Sequence, residues 1–369
     1  MTTIESLPAE NIAQIFKAAS QLEFRQDNLS LPLTFLQCSK VSRRWYYIAL
    51  QNPDLFTNIV IPFTALREQK YSISKWTKFW LEQSKTCTVT VTVRFDLTTA
   101  QARDLTIFRA LLRGHIIPHA SRLRAFRFVC LQRGISVSTQ HFFDTPFILP
   151  VEAPNLEELV IRTGGGGILP LFVEPPGTKP LFMSSHKLRR LVIHGTAEIM
   201  FASLTGLTEF DASLVAISDT SFRKLVLGCP KLEILALRAL SLAKPTPEGD
   251  SAPISMDFLR SLTLDFIASN VVNIFTHILA PNLEYLEVSA GGRAIRLVNA
   301  LPVASSLTKL RKLKLVGVTS RQSADTGVVD DSQWFRDLPS DSIEEIHLAH
   351  TSGELLGIEF PKVPSARLS

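Results

Sequence analysis

From about residue 120 the chain repeats one pattern, aliphatic-x-x-aliphatic-x-aliphatic. It runs Leu123-x-x-Phe126-x-Phe128, Leu156-x-x-Leu159-x-Ile161, Leu188-x-x-Leu191-x-Ile193 and Leu207-x-x-Phe210-x-Ala212. It continues as Leu232-x-x-Leu235-x-Leu237, Leu259-x-x-Leu262-x-Leu264, Leu283-x-x-Leu286-x-Val288, Leu310-x-x-Leu313-x-Leu315 and Ile343-x-x-Ile346-x-Leu348. Alternation inside each motif predicts a short strand with one face buried, and the residues between motifs supply a return path. Upstream, Thr88 to Val93 alternates as a strand should, and Ser74 to Glu82 predicts a helix before it. The first residues show another period. Pro8 suits the first turn of a helix that Ser6 can cap, Glu10 lies where the helix dipole favours a carboxylate, and Ile12, Ile15 and Phe16 follow at helical spacing. A polar break from Ser20 to Ser30 separates this helix from a second apolar run, Leu33 to Ala49, stopped at Asn52-Pro53.

Three longer excursions interrupt the motifs, at Gly164 to Pro180, Leu242 to Pro253 and Thr319 to Asp331. Their Gly, Pro, Ser and Asp content predicts inserted surface loops. Within each predicted strand the positions between the aliphatics form the opposite face. That face carries Arg127, Arg162, Arg190, Arg238, Lys312 and Lys314 against Glu158, Glu209, Asp211, Asp265, Glu287 and Glu345. A phosphate backbone calls for a surface of one sign, so this balance suits a polypeptide of mixed charge.

The N-terminal run Leu7-Pro8-x-Glu10, Ile15-Phe16, Val41-Ser42-Arg43-Arg44-Trp45, Ile48-Ala49 and Asn52-Pro53-x-Leu55-Phe56 resembles the F-box, in the divergent form common in large fungal families. Asn11 departs from the aliphatic residue usual there, and Phe56 from a frequent Trp. Phrases such as Cys229-Pro230-Lys231-Leu232-Glu233-Ile234-Leu235 and Ala280-Pro281-Asn282-Leu283-Glu284-Tyr285-Leu286 resemble the leucine-rich repeats that follow F-boxes, and the motif intervals of 19 to 33 residues bracket that period. The resemblance implies an α+β chain: an all-α F-box at residues 4–60, a linker helix and first strand at 61–120, an irregular α/β leucine-rich-repeat solenoid, or horseshoe, at 121–352, and a C-terminal tail at 353–369.

Composition fits a folded protein with a sizeable core: 369 residues, 46% hydrophobic and 20% charged. The longest apolar stretch, near Val271 to Ala280, is broken by Asn273, Thr276 and His277, which predicts no membrane span, and no signal peptide is expected. Cys38, Cys87, Cys130 and Cys229 lie far apart, as suits a reducing compartment. The formal charge of +5 is local. Residues 1–60 carry five basic and five acidic side chains and residues 61–120 nine and four, so the excess falls between Arg67 and Arg113.

Signals of catalysis are weak. Gly164 to Gly167 lacks the Gly-Lys-Ser/Thr of a phosphate loop. His115 and His119 have helical ligand spacing but Pro118 between them and no neighbouring Glu or Cys, and His347 and His350 are no better placed. Gly249-Asp250-Ser251, with His347 as an imagined base, lies among prolines without the strand a nucleophile turn needs.

The expectation is a non-enzymatic substrate-recognition subunit of a Skp-cullin-F-box ubiquitin ligase, cytoplasmic or nuclear, with no cofactor, metal, nucleic acid or membrane partner. By the resemblance, Leu7, Pro8, Ile12, Ile15, Phe16, Leu36, Val41, Ser42 and Trp45 face a Skp-type adaptor and, through it, a cullin. Arg162, Arg190, Asp211, Arg238, Asp265, Tyr285 and Glu287 are the candidate contacts to a target protein. Two alternatives stay open: an interaction scaffold acting outside ubiquitination, and a hydrolase.

Overall fold

A computed structural model describes residues 7–25, 40–62, 70–96, 107–131 except 109, 152–162, 169–170, 185–194, 204–242 except 214 and 218, 253–266, 278–290, 302–317, 334, 337–338, 342–349 and 365–368. The chain divides into two compact units, residues 1–164 with 180–188, and residues 165–179 with 189–369.

In the first unit, helices α1 (Ala9–Arg25) and α2 (Arg43–Gln51) precede a single tight helical turn, Pro53–Phe56. Strand β1 (Asn58–Pro62), helix α3 (Lys70–Gln83), and strands β2 (Val89–Asp96), β3 (Leu123–Leu131) and β4 (Glu158–Arg162) follow. The strands are parallel and pair in chain order. Register stacks Ile59, Val91, Phe126 and Leu159 in one buried row and Ile61, Val93, Phe128 and Ile161 in the next. From Val89 to Val93 strand β2 is buried on both faces, since Thr90 and Thr92 are buried as well as the valines around them, as expected for parallel sheet. On α3, Ile73, Thr77, Trp80 and Leu81 form the buried stripe. Phe56 meets Trp80 edge-on at 5.2 Å. Arg122 closes the end of this helix by donating to the carbonyls of Leu81 and Cys87.

The second unit is a parallel sheet ordered β6 (Arg190–His194), β7 (Glu209–Ser213), β9 (Ile234–Leu242), β11 (Ser261–Phe266), β13 (Tyr285–Ala290), β14 (Lys312–Val316), β15 (Glu345–Ala349) and β16 (Ser365–Leu368). The short strands β5 (Leu169–Pro170) and β8 (Val215–Ile217) pair beside β9, and β10 (Ile254–Ser255) pairs with β12 (Ile278–Leu279). Helix α4 (Asp219–Gly228) buries Phe222, Leu225 and Val226. One row of the sheet runs Leu191, Phe210, Leu235, Leu262, Leu286, Leu313, Ile346, and the next Ile193, Ala212, Leu237, Leu264, Val288, Leu315, Leu348. All are buried.

The first leucine of each motif has its own task. Leu207, Cys229 to Leu232, Met256 to Leu259 and Ala280 to Leu283 close tight turns in which the backbone N–H of the leucine donates to the carbonyl three residues earlier. The next two N–H groups then share one carbonyl of the preceding strand's approach, as Glu233 and Ile234 do with Thr208, and Arg260 and Ser261 with Glu233. A buried leucine and a shared carbonyl thus set the register of each strand against the last.

These findings correct the expected fold class. The described chain is mostly parallel sheet with few helices, an α/β-like fold, and not an all-α F-box followed by a separate solenoid. The sheet begins at β1, inside the segment expected to be all helix, because Ile59 and Ile61 alternate into the same rows as Val91 and Val93. Helix α1 also runs on through the expected polar break at Ser20 as far as Arg25. Residues 365–368, expected as tail, form β16 against β15. The three predicted excursions fall almost wholly outside the described residues.

Candidate interaction surfaces

Helices α1 and α2 close a small core of their own. Ile12, Phe16 and Trp45 are buried, with the Phe16 and Trp45 rings edge-on at 5.2 Å. Ser42 caps α2 by accepting the Trp45 N–H at 3.2 Å, so its side chain serves the helix start. Leu7 is half-buried, and its carbonyl accepts from Arg44 Nη2 at 2.6 Å. Pro8 is exposed and its carbonyl accepts the N–H groups of Asn11 and Ile12. Lys17 pairs with Asp54 at 3.2 Å.

Of the nine expected adaptor-facing residues, Ile15 and Val41 leave large apolar side chains in solvent, 44% and 55% exposed. Leu36 lies outside the described residues. Tyr46 and Tyr47, not singled out from sequence, are 39% and 61% exposed and meet ring to ring at 5.8 Å. Their outward direction follows from helical phase, since the residues one and two beyond an inward Trp45 turn away from the core.

On the second unit, the face opposite the apolar rows carries cross-strand pairs. Arg190 bonds Glu209 at 2.8 Å across β6 and β7. Asp211 lies 3.2 Å from His194 and 3.3 Å from Arg238. Burial pushes the Asp211 carboxyl up, but the hydrogen bond from His194 and the charges of His194 and Arg238 outweigh it, leaving the group below its ordinary range. Lys314 meets Glu287 at 2.7 Å and Lys312 meets Glu345 at 3.1 Å. Glu287 is likewise raised by burial and held lower overall by Lys314 and Tyr285.

The Tyr285 hydroxyl donates to Glu287 at 2.7 Å. Burial, then the bond and charge of Glu287, push the phenol up to about 12. Ser289 donates to Asp265 at 2.6 Å. Six of the seven expected target contacts therefore share one face of this unit, where Arg238 acts electrostatically on Asp211, Tyr285 and Glu287 together. The seventh, Arg162, is exposed at the end of β4 in the first unit. These pairings escaped the sequence because they depend on register between strands roughly two dozen residues apart.

The groups weighed for catalysis fall only partly within the described residues. Ser251 and Gly164 to Gly167 lie outside the described residues, and His347 sits on β15. His115 Nε2 lies 2.6 Å from Ser74 Oγ, and His119 faces Arg122 at 3.4 Å. Among the described residues no three His, Cys, Asp or Glu side chains gather as metal ligands, and no helix is long and apolar enough to cross a membrane. Buried Cys229 has its thiol pushed up to about 12 by desolvation. Compared with known proteins, the chain matches no family model and no curated protein.

Proposed function

We propose that the chain is a non-catalytic recognition subunit of a Skp-cullin-F-box ubiquitin ligase, acting in the cytoplasm or nucleus, in which α1 and α2 dock a Skp-type adaptor and the polar sheet face receives a target protein. The observation that carries the reading is that Ile15, Val41, Tyr46 and Tyr47 are each left in solvent by a helical pair whose own core is already closed. Aromatic and aliphatic surface beyond what a fold buries is the signature of an interface. The motif order from Leu7 to Phe56 supplies the identity of the partner by resemblance.

On this reading Ile12, Phe16 and Trp45 hold the two helices at a fixed angle, and the exposed group makes the contact. The chain contributes proximity and orientation, holding the target near the ubiquitin-conjugating enzyme that the adaptor and cullin bring. The target is a polypeptide and not a nucleic acid, because cations on the polar face are matched by carboxylates at hydrogen-bonding distance. Size-exclusion chromatography with light scattering tests the proposal. A one-to-one complex with the adaptor is expected, and separate elution of the two proteins overturns it.

A further inference from the structure

On the first unit's sheet, the face opposite the apolar rows carries Arg94, Arg127 and Arg162 against Asp96 and Glu158. Register places Arg94 of β2 opposite Val129 of β3, and Val129 opposite Arg162 of β4. All three point away from the buried row Val93, Phe128, Ile161. Neighbouring strands lie about 4.8 Å apart, so the two arginine Cα atoms are about 10 Å apart with an apolar residue between them. That separation lets two guanidinium groups close on one small anion.

Neither arginine has an ion-pair partner among the described residues. The Nε of Arg94 is cut off from solvent and makes no hydrogen bond. Burial lowers its pKa. Arg162 is exposed. On this face Glu158, at the opposite end of β4, is taken by Arg127 at 2.7 Å, and Asp96 stands two residues beyond Arg94 on β2. A part-buried guanidinium with an unmet donor is costly to a fold and is satisfied by an oxyanion, which accepts its parallel N–H groups two at a time.

We propose that Arg94 and Arg162 form an oxyanion-binding site over Val129, taking a carboxylate or phosphate group of a ligand. The site stands on the first unit alone and is independent of the adaptor reading. The full chain, labelled with 15N in arginine and with its side-chain signals assigned through Arg94→Lys and Arg162→Lys, is titrated with inorganic phosphate in one arm and acetate in the other. Ionic strength is held constant with sodium chloride. A saturable shift of the Arg94 Nε–H signal, weakened at least tenfold in Arg162→Gln, is expected; the arm that saturates at lower concentration identifies the anion. Because Arg162 is exposed, that variant keeps the fold, and its melting temperature checks this. No saturable shift in either arm overturns the site, and saturation unchanged in Arg162→Gln overturns the pairing.

Discussion

Ile234 and Leu235 are adjacent on β9 yet face opposite ways, and their contrast tests the register of the second unit. Leu235 is fully buried in the row between Phe210 and Leu262, both also fully buried. Ile234 is 41% exposed on the other face. Truncating a buried leucine removes its transfer free energy and leaves a cavity, together about 2 to 5 kcal/mol. Here the flanking side chains are held by paired strands, which limits collapse and places Leu235→Ala in the upper half, about 3 to 5 kcal/mol. For a unit of this size each kcal/mol moves the melting temperature by about 2 to 4 °C, so a loss on the order of 10 °C is expected. Ile234→Ala should cost about 1 kcal/mol or less, since much of that side chain is already in water. The assay is urea and thermal unfolding of the two variants in parallel. Equal losses, or a larger loss for Ile234→Ala, refute the register, because a slip of one residue exchanges the two faces.

Other outcomes follow from the same geometry. Asp211 and Glu287 have folded-state pKa values held below the ordinary range. The stability they contribute is therefore present above about pH 4 and lost as pH falls through their lowered values; Asp211→Asn should flatten the acid limb of the stability curve, and an unchanged limb contradicts the pairing. Tyr285, raised to about 12, contributes stability that is intact below about pH 10 and lost as pH rises toward 12. Absorbance titration should show one late-ionising tyrosine that disappears in Tyr285→Phe and shifts downward, though not fully, in Glu287→Gln. Ser42→Ala should cost about 1 kcal/mol by uncapping α2, read as a lower denaturant midpoint. Reversing Arg190 and Arg238 to Glu should abolish target capture in pull-downs while leaving adaptor binding intact; retained target moves recognition off this face.

Much of the strand pattern was legible because the aliphatic pairs recur with a strand's alternation: the second and third aliphatics of each of the nine motifs lie on a strand. What the pattern misplaced was the extent of the sheet. Asn58 to Pro62 is five residues long and directly follows a helical turn, so local signals attach it to the helices, while its burial comes from pairing with β2 about thirty residues away. The charged side chains of the polar face were visible singly. Their mutual bonds were not, since register between distant strands decides whether Arg238 meets Asp211. Arg94 lies one residue beyond the stretch read as a strand, and nothing local marks its unmet Nε.

Calorimetric titration of a Skp-type adaptor into the chain tests the central claim most directly, with three forms compared: wild type, Ile15→Glu with Tyr47→Glu, and Arg190→Glu with Arg238→Glu. One-to-one binding by the wild type is expected, with affinity at least a hundredfold weaker for the helical-surface variant at an unchanged melting temperature, and wild-type affinity for the sheet-face variant. Absence of binding by the wild type, or equal affinity in the helical-surface variant, would contradict it.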